Sequence, residues 1–252
     1  MINLATNQFK KRLAEFKLQR GVWCTIPDVT VVEILASSGF DWMLIDTEHS
    51  PSSDFSTYHL LQVAAAFPIS TLVRVSSLNP VEIKKLLDFG AQSIMIPNVQ
   101  TVEEAKLAAA SVTYPPAGIR GVAGITRATA YGEVSDYAQK ARDEICLIVQ
   151  IETVKAVENI EAIAQVEGID AMFVGPADLA ASMGYVGQVS HPEVQKLATS
   201  AIERIRKQGK APGFLALDKA FVQKTIDAGA SFVATDIDMA ALKRGIEVYK
   251  SE

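Results

Sequence analysis

Eight short apolar runs recur along this chain: GVWCTI (21–26), WMLID (42–46), STLVRV (70–75), SIMIP (93–97), ICLIVQI (145–151), AMFVG (171–175), GFLAL (213–217) and FVATD (232–236). Each is rich in β-branched or large apolar residues and bounded by Gly, Pro or Asp, which is the chemistry of a strand. Being apolar at successive positions, they read as parallel strands buried on both faces rather than half-exposed antiparallel ones. Amphipathic stretches lie between them, among them VVEILASSG (31–39), PVEIKKLLDFG (80–90), TVEEAKLAAASV (101–112) and TVKAVENIEAIAQV (153–166). Asp28, Asn79 and Thr101 mark helix starts, and Gly39 and Gly90 mark helix ends. Eight strands alternating with helices in 252 residues is the arithmetic of an α/β chain closed as a (β/α)8 TIM barrel, with an open doubly wound sheet as the competitor. SSGFDWMLID (37–46), DFGAQSIMIP (88–97) and DAGASFVATD (227–236) form a weak internal repeat in which a helix stops at Gly and a strand follows. No low-complexity linker interrupts the pattern, so residues 1–252 are expected to form one barrel domain.

Hydrophobic residues make up 49% of the chain, enough for a sizeable core, which excludes a disordered or fibrous protein. Twenty-four basic against 29 acidic side chains leave a formal charge of −5. That argues against nucleic acid or an anionic membrane as partner. The start of the chain lacks the pattern of a signal peptide, and no apolar stretch reaches a membrane-spanning length. The two cysteines, Cys24 and Cys146, sit inside apolar runs, so a disulfide framework is not expected and a cytoplasmic setting is.

Two segments fall outside the repeat. Residues 4–17 pattern as a leading helix with Phe9, Leu13 and Phe16 on one stripe, suited to closing the bottom of the barrel. Residues 113–144 are a long excursion between the fourth and fifth units, and loops of that length tend to be functional. Its glycines at 118, 121 and 124 do not spell GxGxxG and do not join a strand to a helix, so a dinucleotide site is rejected.

Chemistry in a barrel gathers where strands end. Strand 2 runs into Asp46-Thr47-Glu48-His49, strand 3 carries Arg74, strand 5 ends in Gln150-Ile151-Glu152, and strand 6 in Gly175-Pro176-Ala177-Asp178. Gln150 and Glu152, two apart, project to one side of their strand. Plainer roles also fit: Glu152 opening a helix, Asp178 capping one, Arg74 in a structural ion pair, His49 in an ordinary polar loop. His59 and His191 have no supporting context. Taken together, two carboxylates on neighbouring strands suit a hard divalent cation with oxygen ligands, Mg²⁺ or Mn²⁺ (Co²⁺ being a further candidate) more than Zn²⁺. Such an ion chelates a 2-oxo acid and stabilises its enolate; Arg74 would meet charge on the same oxygen, and His49 would handle a proton. The rival Schiff-base chemistry needs a lysine on a strand end, and Lys84, Lys85 and Lys155 fall in helical stretches. The loops after strands 7 and 8 offer no glycine pair for a phosphate.

The strings DWMLIDTEHSP, LVRV, QSIMIPNVQTVEEA, YPPAGIRGV with a later RATAYG, VQIET and GIDAMFVGPADLAASMG resemble the HpcH/HpaI family of class II, metal-dependent pyruvate aldolases. The likeness spans roughly residues 10–245, with VQIET and FVGPADL at this spacing its most specific part. The resemblance implies a carbon–carbon lyase (an aldehyde-lyase) that reversibly cleaves 4-hydroxy-2-oxo acids to pyruvate or hydroxypyruvate and an aldehyde. It implies that His49 is the catalytic histidine, Asp88 the acid that raises its basicity, and Arg74 the transition-state stabiliser. Glu152 and Asp178 are then the metal ligands, while Gln150 and the backbone at Ala177 hold the oxo-acid carboxylate. It further implies a homohexamer of paired barrels exchanging a C-terminal helix, for which the tail at 239–252 is compatible. Ser50-Pro51-Ser52-Ser53 after His49, and Leu215 after strand 7, depart from the commoner family pattern and leave the acceptor aldehyde open. A CoA-thioester lyase of the same superfamily and a non-catalytic barrel that binds a metal and an organic acid are the alternatives. The first would call for a basic patch to receive the phosphates, and no concentrated one is evident.

Overall fold

A computed structural model describes residues 3–250. In chain order the elements are α1 (Gln8–Ala14), β1 (Gln19–Cys24), α2 (Val29–Ser37), β2 (Trp42–Asp46), α3 (Asp54–Ala64), β3 (Ser70–Arg74), α4 (Pro80–Asp88), β4 (Ser93–Ile96), α5 (Val102–Ser111), α6 (Tyr137–Glu144) and β5 (Cys146–Ile151). There follow α7 (Val154–Glu158), α8 (Ile160–Ala164), β6 (Ala171–Val174), α9 (Pro176–Ser182), α10 (Pro192–Lys207), β7 (Ala211–Leu215), α11 (Lys219–Asp227), β8 (Phe232–Ile237) and α12 (Asp238–Lys250). Each strand pairs in parallel with the next, and β8 pairs with β1, so the sheet is the expected closed barrel.

Alternate residues of each strand face opposite sides of the sheet. Trp42 and Leu44, Cys146 and Ile148, Ala171 and Phe173, and Phe232 and Ala234 fill the barrel interior, whereas Met43, Ile45, Leu147, Val149, Met172 and Val174 pack under the helices. The interior is largely aromatic: Phe232 stands 5.9 Å from Trp42 and 5.8 Å from Phe173, ring centre to ring centre. Two strand glycines make room for these rings. A Cβ on Gly21 would lie 2.1 Å from the Trp42 indole, and one on Gly213 2.3 Å from the Phe232 ring.

Helix α1 closes the end at which the strands begin. Phe9 and Leu13 are buried, and Phe9 meets Phe232 and Trp42 edge to face. The helix is shorter than the 4–17 segment because Asn7 caps it and the chain turns at Phe16 with φ 53°. Helix starts are as expected, since Asp28, Asn79 and Thr101 accept from Thr30, Val81 and Glu104 N–H groups. Gly39 and Gly90, at φ 84° and 95°, take the left-handed turn that ends α2 and α4.

Differences from the sequence reading are local. Strand β1 ends at Cys24 because the next two N–H groups, of Thr25 and Ile26, are taken by the Asp238 carboxylate. Strand β7 begins at Ala211, paired with Ala171 of β6, two residues earlier than expected. The helical stretch 153–166 breaks at Asn159, whose side chain donates to the Gln100 carbonyl. The excursion 113–144 is partly structured, with a 3-10 turn at Ala130–Gly132 and helix α6. It packs on the ends of α3 and α4, where Arg127 donates to the carbonyls of Phe89 and Leu61. It therefore lies beside the strand starts at Ser70 and Ser93, at the end opposite the rim. Among the described residues no helix is long and apolar enough to cross a membrane.

The Gly21→Ala variant is expected to lose on the order of 1–3 kcal/mol through overpacking against Trp42, read as a lower Tm. Gly124→Ala, whose added methyl meets nothing within 4 Å, should leave Tm near wild type.

Candidate active site

The inward series that fills the barrel continues to the strand ends, where it changes chemistry. Asp46 follows Trp42 and Leu44, Arg74 follows Leu72, and Gln150 and Glu152 follow Ile148. Four polar side chains thus reach one rim because their strands already point those positions inward. All four are buried: Asp46 is 1% exposed, Gln150 2%, Glu152 4% and Arg74 7%.

They form one connected chain. Asp46 and Arg74 are direct partners in the β2–β3 ladder. Arg74 Nε donates to Asp46 Oδ1 at 2.9 Å and Nη2 to Oδ2 at 2.5 Å, a two-pronged charge-assisted pair. Arg74 Nη1 reaches Gln150 Oε1 at 3.5 Å and Glu48 Oε2 at 2.8 Å. Gln150 Nε2 donates to Glu152 Oε2 at 2.9 Å, and the backbone N–H of Asn98 donates to Glu152 Oε1 at 2.7 Å. The Trp23 indole also donates to Asp46, and its ring lies 5.2 Å from the Arg74 guanidinium carbon.

Electrostatically this rim is short of positive charge. Arg74 faces Asp46 and Glu48 directly, and Glu152 and Asp178 stand beyond them. Burial pushes the Asp46 carboxyl up, but the hydrogen bonds and charge of Arg74 outweigh this and hold it below the ordinary 3.8. Glu48 is raised, chiefly by burial, with the charges of Asp46 and Asp178 adding to it. Glu152 is pushed up to about 7 by burial, with the Asp178 and Glu48 charges adding to it while the Asn98 N–H opposes. Buried carboxylates that repel one another fit a divalent cation, and the donors are the hard oxygens such an ion prefers. Glu48 Oε2 has no aligned hydrogen-bond donor, and a Cβ on Gly175 would come within 2.4 Å of Glu152 Oε2. The backbone at β6 thus leaves the carboxylate its room. Among the described residues no cluster of three or more His, Cys, Asp or Glu could hold an ion by itself, so a cation here would keep positions for water or substrate.

The plainer roles are decided by local geometry. Thr153, not Glu152, caps α7, accepting from the Ala156 N–H. Gly175 is the N-cap of α9 and no side chain caps that helix, so Asp178 sits exposed in the first turn beside the first-turn N–H groups, Ala177 among them. His49 is largely exposed above the rim, its Nε2 4.0 Å from Glu48 Oε1 and its backbone N–H directed at Asp46 Oδ1. Asp88 is not brought to His49. It ends α4, which runs back toward the strand starts, and there it accepts from Arg120 Nη2 at 3.0 Å. Arg120 is buried between Tyr114 and Tyr137. Sequence reasoning gave no role to Asp46, the hub of the site. Its place at the end of WMLID, two residues beyond an inward leucine, was the signal available.

The family model of the HpcH/HpaI aldolase/citrate lyase matches residues 19–244. The hydroxypyruvate/pyruvate aldolase of Sagittula stellata is 46% identical over 251 residues, covering 100% of this chain and 99% of that protein. The 4-hydroxy-2-oxo-heptane-1,7-dioate aldolase of Salmonella dublin is 45% identical, covering 96% of this chain and 92% of its own. The crystal structure of an HpcH/HpaI aldolase/citrate lyase family protein from Burkholderia cenocepacia J2315 superposes with TM-score 0.94 at 35% identity, covering 98% of each chain.

Asp46→Asn keeps the shape and removes the charge, leaving Arg74 beside a neutral amide. Breaking a buried pair typically costs about 3–5 kcal/mol, so thermal unfolding at neutral pH should fall well below wild type. Because the folded-state pKa of Asp46 is depressed, its stabilisation is present above 3.8 and lost as pH falls through the folded value. The gap between the two proteins should therefore narrow in acid.

Proposed function

The chain belongs to the HpcH/HpaI aldolase/citrate lyase family, and from that premise we propose that it is a carbon–carbon lyase that reversibly cleaves 4-hydroxy-2-oxo acids to pyruvate or hydroxypyruvate and an aldehyde. The observation that carries this reading is the buried run Asp46–Arg74–Gln150–Glu152, a single cation set among carboxylates at the strand ends. Glu152 and Asp178 would hold a divalent cation, Mg²⁺ or Mn²⁺ with Co²⁺ also suitable, which would supply Lewis acidity to the 2-oxo carbonyl. Gln150 and the backbone N–H of Ala177 orient the substrate carboxylate. Arg74, fixed in direction by Asp46 and Glu48, meets the negative charge that gathers on the carbonyl oxygen as the carbon–carbon bond breaks. His49, exposed above the rim, takes the proton of the 4-hydroxyl in cleavage and returns it to the aldehyde oxygen in condensation. Asp88 acts on His49 in this reading only if a second protomer supplies it, since within one chain it is bound to Arg120.

The assembly we propose is a homohexamer of paired barrels that exchange α12. Beyond Ala240 every described residue of that helix is exposed, Leu242, Ile246 and Tyr249 included. A groove of about 1270 Å³ opens between α11, β8 and α12, with Phe40, Leu217, Val222 and Ala240 in its lining. The buried, unbridged cysteines suit a cytoplasmic setting.

Deuterium exchange into the methyl group of pyruvate, followed by proton NMR, tests the chemistry with no aldehyde present. Exchange that requires Mg²⁺ or Mn²⁺ and stops with EDTA is expected; none with any 2-oxo acid would refute the reading. Glu152→Ala and Asp178→Ala should abolish exchange while folded. Arg74→Ala should lower kcat by roughly 10²–10³-fold, as when one oxyanion donor is lost, with KM little changed. Light scattering on Leu242→Glu/Ile246→Glu should give a smaller species than wild type.

A further inference from the structure

His49 stands on the turn between β2 and α3, and its own ring does little to hold it there. The side chain is 67% exposed, and its one ion-pair contact among the described residues is Glu48 Oε1 at 4.0 Å. Where the imidazole stands is therefore decided by the backbone beneath it.

That backbone is held by side chains. Among the described residues no backbone-to-backbone hydrogen bond reaches 48–52, and Pro51 has no N–H to give. The turn closes instead on Asp46, the last residue of β2. Asp46 Oδ1 accepts from the N–H groups of Glu48 at 3.0 Å and His49 at 3.4 Å. Its main-chain carbonyl accepts from Ser50 Oγ at 2.5 Å, and Ser52 Oγ stands 3.1 Å from the same oxygen and 2.6 Å from Ser50 Oγ. The Ser52 N–H also donates to Ser50 Oγ, at 3.3 Å. Both flanks are pinned. Thr47 gives its N–H and its hydroxyl to the Arg74 carbonyl at 3.0 and 2.6 Å, and Ser53 caps α3 in a reciprocal pair with Ser56.

The sheet supplies the reason for this clamp. The β1–β2 ladder ends at Cys24 and Ile45, since Asp238 takes the next two N–H groups of the β1 chain. Asp46 lies one residue beyond that last pair and is 1% exposed, and a buried carbonyl without a donor is costly. Ser50 and Ser52 supply what the ended strand does not. Both belong to the Ser50-Pro51-Ser52-Ser53 stretch in which the chain departs from the commoner family pattern.

We propose that Ser50 and Ser52 are positioning residues for the aldol step, holding His49 where its imidazole reaches the substrate's 4-hydroxyl. This rests on the aldolase reading above. The serine hydroxyls bond to main chain and to each other, so their loss leaves Asp46, Arg74, Gln150 and Glu152 with every side-chain partner they have. What changes is the height and direction of His49. A base works within about 2.6–3.2 Å of the atom whose proton it takes, and a misplacement of about 1 Å can cost roughly 10²-fold. A group supplied by a second protomer would act on the imidazole; the serines act on the backbone that carries it.

The experiment measures kcat and KM, with Mg²⁺ or Mn²⁺, for cleavage of 4-hydroxy-2-oxopentanoate and 4-hydroxy-2-oxoheptanedioate, followed by release of pyruvate. Ser50→Ala/Ser52→Ala should lower kcat by about 10-fold or more, with KM within about two-fold of wild type. On a His49→Ala background the same pair should cost nothing further, because changes that act through one group are not additive. Ser50→Thr, which keeps the hydroxyl, should recover most of the loss. Unchanged kcat in the folded pair variant, a loss confined to KM, or a loss of equal size on the His49→Ala background would overturn the proposal. Should the pair variant not fold, Ser52→Ala alone, which leaves the Asp46 carbonyl its Ser50 partner, carries the same comparisons. Methyl exchange of pyruvate separates the two failures. Wild type that neither exchanges nor cleaves would sink the aldolase reading itself, whereas exchange and cleavage indifferent to the serines would sink the clamp alone.

Discussion

A parallel strand turns successive side chains to opposite faces, so the choice of which residues point inward is made once per strand and holds to its end. In this barrel that alternation does two jobs. At the lower and middle levels it packs Trp42, Phe232, Phe173 and Ile148 into an interior so tight that β1 and β7 must offer glycines opposite the rings. At the upper level the same inward positions are Asp46, Arg74, Gln150 and Glu152, and the apolar layers beneath lock their backbones in place. Preorganisation of the site is therefore a by-product of core packing: no loop has to order itself to bring Arg74 to Asp46, because they are already ladder partners.

The cost is electrostatic. Burying these carboxylates leaves Glu152 and Glu48 with raised pKa values, their own desolvation being the main cause of each and the Arg74 charge opposing it. Glu152 is held by hydrogen bonds from neutral groups, the Gln150 amide and the Asn98 N–H, which fix its direction without cancelling its charge. A rim in this condition is less comfortable empty than filled, and that is the property a site for a divalent cation and a 2-oxo acid needs.

Much of this was legible in the residues. The apolar runs gave the eight strands because buried parallel strands have no polar face to confuse the pattern, and Asp28, Asn79 and Thr101 announced their helices because an N-cap is a local hydrogen bond. The rim residues followed from strand ends. What escaped the sequence depends on contacts between distant segments. Strand β1 stops where it does because Asp238, more than 200 residues on, takes its next N–H groups. Asp88 reads as one more helix acid until Arg120 is found beneath it. The β1–β8 ladder skips Thr235, pairing Gly21 with Ala234 and Val22 with Asp236, and this leaves no mark in FVATD, since a bulge is a property of two strands and not of one.

The rim network also bears on how such a barrel diversifies. The polar positions from β2 to β6 are tied together by side chains that bond to each other, so changing any one of Asp46, Arg74 or Gln150 strands its neighbours as buried unpaired groups. The inward positions of β7 and β8 at the same end of the barrel have no such ties. Leu215 and Ile237 touch the interior through apolar packing alone, and a change there costs contact area rather than an orphaned charge. Relatives as close as the hydroxypyruvate/pyruvate aldolase and the 4-hydroxy-2-oxo-heptane-1,7-dioate aldolase carry names that differ in substrate. In a barrel built this way, such differences are tolerated most readily on β7 and β8, since on β1 the Trp23 indole is already tied to Asp46.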